Sequence, residues 1–147
     1  MNTDTDKFMG TWKLISFEAR SNNGETLFPM GQRPVGRLIY DDKGNMSVLL
    51  ANADPPPMSP DVSLKSFASL EEKGQAFDSF EAYFGAYVVD ETENVITHHI
   101  EGALFTNWTG SSQKRFYSFM GNRLELSTPP IKHEDLCVVM VLLWERA

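Results

Sequence analysis

Turn signals recur about every ten residues along this chain, with short apolar or alternating segments between them. That rhythm constrains the fold most, because such short segments between turns suit antiparallel strands far better than packed helices. Residues 12–20 read as a first strand, ending at Ser21-Asn22-Asn23-Gly24, whose residue types tolerate positive φ. Residues 25–28 make a short second strand stopped by Pro29. Residues 36–40 and 45–51 flank Asp41-Asp42-Lys43-Gly44, a good hairpin signal. Residues 83–89 then meet 95–101, residues 114–119 meet 123–127, and a last strand covers 136–145. The expectation is an all-β domain of about eight to ten strands, mostly joined to their sequence neighbours.

One stretch breaks the rhythm. Asp54-Pro55-Pro56-Pro57 and the nearby Pro60 cannot continue a sheet, because proline lacks the N–H donor. Ser69 and Glu72 then have capping-box spacing, and Phe77, Phe80 and Phe84 follow at intervals of three and four. The spacing predicts one short helix over 70–82, its aromatic face packed on the sheet or across the mouth of a barrel.

No repeat or linker divides the 147 residues, so one domain spans 1–147, with 1–8 as an N-terminal tail. The net charge of −7 and the lack of any basic cluster larger than Lys114-Arg115 argue against nucleic-acid binding. The N-terminus has no apolar run of the signal-peptide kind, and the longest apolar run, 136–144, is too short for a membrane-spanning helix. A lone Cys137 cannot form an internal disulfide. A cytoplasmic location is the expectation.

So many consecutive antiparallel strands must either stack as two sheets or close on themselves, and pattern alone does not separate sandwich from barrel. An α+β cone is the runner-up, disfavoured by the single helix. Residues 136–144 look apolar on both faces, which fits a strand covered on its outside by that helix. The chain ends are more telling. Gly10-Thr11-Trp12 opens the first strand and Trp144-Glu145-Arg146 finishes the last. This resembles the lipocalin (calycin) pattern, in which Gly-x-Trp meets an arginine of the final strand. The resemblance implies that Trp12 plugs a closed barrel end and that the Arg146 guanidinium stacks on it, so Gly10, Trp12 and Arg146 are structural. GTWKLISFEAR, PVGRLIYDDKGNMSVLL, EAYFGAYVVDETENVITHHIEG, LFTNWTG, RLELSTPP and the terminal WER together are similar to the bacterial and fungal lipocalin-like domain family. Family membership implies a single antiparallel calycin-like barrel. The polyketide and secondary-metabolite settings of some members hint at oxygenated small molecules.

The densest polar cluster is Thr97-His98-His99-Ile100-Glu101. On a strand, His98 shares a face with Ile96 and Ile100 and is expected inside, whereas His99 and Glu101 share the other face and could pair for proton transfer. Asn107 beside Trp108 suits a binding rim, the amide bonding a ligand carbonyl while the ring covers its apolar body. Arg115, Tyr117 and Phe119 alternate onto one face. An interior Arg115 would need an anionic ligand or a buried carboxylate such as Glu101 or Glu145, so Arg115 is expected outside or at the rim. Tyr40, Met46, Tyr83 and Tyr87 are further candidates for an adaptable ligand-contacting wall.

No third ligand joins the histidines at metal spacing, and no phosphate loop, nucleophile elbow or redox motif is present, so neither metal nor cofactor is expected. Three readings follow. The first is a barrel holding a hydrophobic, partly oxygenated small molecule, with a homodimer among the assemblies it allows. The second is a cofactor-free isomerase, cyclase or dehydratase of a carbonyl or polyketide-like metabolite, using His98 or the His99–Glu101 pair. The third is an interaction protein whose barrel is filled by its own side chains, ten of them Phe.

Overall fold

The computed structural model describes residues 3–147. Strands β1 (Gly10–Ser21), β2 (Thr26–Leu27), β3 (Val35–Tyr40), β4 (Asn45–Ala51), β5 (Phe80–Asp90), β6 (Val95–Ala103), β7 (Ser112–Met120), β8 (Arg123–Ser127), β9 (Ile131–His133) and β10 (Leu136–Arg146) form one antiparallel sheet. The long strands pair in chain order, β1 with β3 past the short β2 and β8 with β10 past the short β9, and β10 also pairs with β1. That last pairing closes an eight-stranded barrel, with β2 and β9 as short additions. Closure removes the exposed edges that an open sheet of this length would carry.

Turn chemistry places the two ends of the barrel. Residues 41–44, 91–94 and 121–122 make tight turns at one end, helped by positive φ at Gly44, Asn94 and Gly121. Asp41 caps its turn by accepting from the N–H groups of Lys43 and Asn45. The longer segments 22–34, 52–79, 104–111 and 128–135 all gather at the other end.

The tight end is plugged. Helix α1 (Asp4–Phe8) lies across it, started by a capping box in which Thr3 and Asp6 satisfy each other's backbone. Of the expected tail 1–8, residues 1–2 lie outside the described residues. The rest is not a tail, because α1 drives Phe8 fully inside, against Tyr40, Tyr117 and Phe119. The Trp12 indole N–H donates to the Phe8 carbonyl at 2.8 Å. Arg146, the register partner of Trp12 across β1 and β10, lays its guanidinium 3.9 Å from the ring centroid and donates to the carbonyls of Lys7 and Met9. Gly10 has φ +117°, and a Cβ there would come within 2.8 Å of Arg146 Nη1, so only glycine fits.

Helix α2 covers Leu70–Asp78, with the expected Ser69–Glu72 capping box. It is shorter than the residue spacing predicts. From Phe80 onward the backbone pairs with β4, and Phe80 and Phe84 stand on the outer face of β5. Phe77 is also exposed, so no aromatic face of the helix is buried. The helix packs on β5 and does not cover β10, whose outward Val139, Val141 and Leu143 lie between β1 and β8.

Candidate ligand-binding site

Above the aromatic plug the barrel is hollow. A cavity of about 480 Å³ opens toward the long-loop end. Its walls are mainly apolar, with Leu38 and Val48 from β3 and β4 facing Leu126, Leu142 and Trp144 from β8 and β10. Those residues line it because β-strand side chains alternate and every second residue of these strands points inward. The polar exceptions are few: Glu81, Tyr83, His98, Gln113, Arg115 and Thr128.

His98 sits in the middle of β6 and is fully buried. Its Nε2 lies 2.7 Å from the Tyr40 hydroxyl and its Nδ1 lies 2.7 Å from the Tyr83 hydroxyl. Burial pushes its pKa down to about 3, helped by the charges of Arg115 and His99, so the ring is neutral at physiological pH. A neutral imidazole donates through one nitrogen and accepts through the other. Tyr40 is buried beneath the cavity and has no hydroxyl partner besides His98. The arrangement that leaves no enclosed donor idle therefore has Tyr40 donating to Nε2 and Nδ1–H donating to Tyr83. The Tyr83 hydrogen is then free to serve the cavity.

Arg115 occupies the inward phase of β7 with Tyr117 and Phe119, and is only 7% exposed. Arg115 therefore lies inside the barrel, not outside or at the rim as its charge predicts. The guanidinium is tolerated inside because Trp108 covers it, its ring centroid 5.4 Å from Cζ, and because Nη1 donates to the Lys114 carbonyl at 2.9 Å. No carboxylate pairs with it: the ion pairs among the described residues are Lys7–Asp4 and Arg20–Glu18. Burial raises the Tyr83 phenol pKa, and the nearby Arg115 charge opposes that rise.

A model of the lipocalin-like domain matches residues 9–147. The chain belongs to the lipocalin-like domain family. No curated protein matches it.

As a lipocalin-like barrel, the protein brings only part of the expected site to its cavity. Tyr83, His98, Trp108 and Arg115 line it. Tyr40, Met46 and Tyr87 do not. They flank the tight 41–44 turn, so their side chains pack in the plug, where the Tyr87 hydroxyl donates to the Asp41 carbonyl at 2.7 Å. Asn107 is exposed on a 3-10 turn (Thr106–Trp108) that points Trp108 inward and the amide out. His99 and Glu101 also face solvent, His99 Nδ1 lying 2.8 Å from the Ser112 hydroxyl, so the expected acid–base pair does not meet the cavity. Among the described residues no three His, Cys, Asp or Glu side chains gather as metal ligands would.

Several lining residues carry little signal in the sequence. Glu81 shares the inward phase of Tyr83, and its signal was hidden by assigning 70–82 to a helix. Desolvation raises its pKa, opposed by hydrogen bonds from the backbone of Ala82 and Phe105. Trp144 stands out in the sequence only as part of the terminal WER. Fully buried and lining the cavity, it has an indole N–H without an acceptor.

Proposed function

We propose that this lipocalin-like barrel binds one small, hydrophobic, partly oxygenated molecule in its interior. The observation that carries the reading is the cavity itself, about 480 Å³ with mostly apolar walls and a few inward polar groups. That is the usual construction of a small-molecule site. Burying about 250 Å² of apolar ligand surface contributes about 6 kcal/mol before association costs. Micromolar affinity needs about 8 kcal/mol net, so the polar groups must add to it. His98 has both nitrogens engaged and a strongly lowered basicity, which favours an anchoring role for the Tyr40–His98–Tyr83 chain over proton abstraction. No helix among the described residues is long and apolar enough to cross a membrane, and the half-buried lone Cys137 supports action in a reducing, cytoplasmic setting.

Titration with N-phenyl-1-naphthylamine, a neutral apolar fluorophore, tests the reading. Saturable one-to-one binding with energy transfer from the cavity tryptophans Trp108 and Trp144 is the expected result. Absence of saturable binding overturns it.

A further inference from the structure

Resting on the binding role proposed above, we propose further that the ligand is a hydrophobic monoanion whose carboxylate-class oxyanion is held by Arg115 with the Tyr83 hydroxyl. Three hydrogen-bond donors line this one cavity with unused capacity. The Arg115 guanidinium has five N–H groups; the Lys114 carbonyl accepts from one and the neighbouring Tyr83 hydroxyl oxygen takes another, which leaves three. The Trp108 ring covers the guanidinium but offers no in-plane acceptor. The Tyr83 hydroxyl accepts from His98, which turns its own hydrogen toward the cavity. The Trp144 N–H has no partner at all.

The cavity also holds the acceptors of Glu81 and Gln113, but neither meets the guanidinium: the Glu81 carboxyl takes the Ala82 N–H at 3.1 Å and forms no ion pair with Arg115, and the Gln113 amide is tied to Ser111 through its N–H. A buried cation without a counter-ion is expensive, so the cavity is complementary to a group that is both negative and rich in lone pairs. A carboxylate meets that demand with a single charge and a planar, two-oxygen face that fits a guanidinium fork. A phosphate would carry more charge than the one inward guanidinium can balance. The apolar body of the ligand then lies against Leu38, Val48, Leu126 and Leu142.

The test uses two pairs of ligands matched in skeleton: laurate against 1-dodecanol, and 1-naphthaleneacetate against 1-naphthaleneethanol, each displacing the neutral fluorophore from the full chain. The acids are expected to bind at least tenfold more tightly than the alcohols. Arg115→Met should bring acid and alcohol within twofold of each other, and Tyr83→Phe should narrow the gap, both read as the acid-to-alcohol ratio within each variant whatever its own affinity for the fluorophore. Equal binding of acid and alcohol to the unaltered protein overturns the oxyanion site and leaves the apolar cavity standing. An acid preference that survives Arg115→Met also overturns it. If neither the fluorophore nor any of the four compounds binds, the binding role itself falls and this inference falls with it.

Discussion

Trp12 and Arg146 face each other across the seam that closes the barrel, the guanidinium lying 3.9 Å from the indole centroid. The same guanidinium ties down two carbonyls at the end of α1, so one side chain joins the last strand, the first strand and the helical plug. Because Arg146 is exposed, solvent takes up part of the loss when it is removed. Arg146→Ala should cost about 1–2 kcal/mol in urea unfolding. Gly10→Ala should cost about as much or more, since it combines a positive φ with a clash against Arg146. Unchanged stability in both would mean that the seam does not depend on this contact.

Phe8 is the centre of the plug and has no exposed surface. Phe8→Ala should lose about 3–5 kcal/mol, the range for a buried aromatic that leaves a cavity behind. A loss under about 1 kcal/mol would restore the view of this segment as a dispensable tail.

The strand framework was legible because turn chemistry marks it. Residues 45–51 and 123–127 were read with the bounds the structure shows, each next to a turn that demands particular residues. The signal failed where two periods coincide. Phe77, Phe80 and Phe84 fit helical spacing, yet Phe80 and Phe84 also share one face of a strand, and pairing with β4 decides between the two. That error concealed Glu81. The strand Ile131–His133 is three exposed residues long, too short to show any period. The inward phase of Arg115 was visible in its alternation with Tyr117 and Phe119. The cost of burying a charge argued the other way, and the Trp108 ring that offsets this cost comes from a separate loop. Phe8 is a single apolar residue in a five-residue helix, with no pattern to announce it.

His98 predicts a pH dependence. Its pKa is about 3 in the folded protein, against an ordinary value of 6.5. Between those values the unfolded chain binds more protons, so stability falls as pH drops through 6.5 toward 3, by at most about 1.4 kcal/mol per pH unit. Urea unfolding between about pH 7.5 and pH 5, above the range where most carboxylates titrate, follows this slope, and a His98 variant separates it from the contribution of Glu81, whose pKa is raised. His98→Gln should flatten it. A flat profile in the unaltered protein would show that His98 titrates alike in both states.

Leu142 lines the cavity from β10 while its neighbours in the register hold the seam. Leu142→Trp should fill part of the hollow and weaken fluorophore binding at least tenfold, with the far-ultraviolet circular dichroism unchanged. Undiminished binding would place the bound fluorophore outside the barrel.

Native mass spectrometry of the protein purified from its own host tests the central claim most directly. The account predicts one small molecule per chain, released when the protein is denatured. A bare chain mass, unchanged after incubation with laurate and 1-dodecanol, would contradict it.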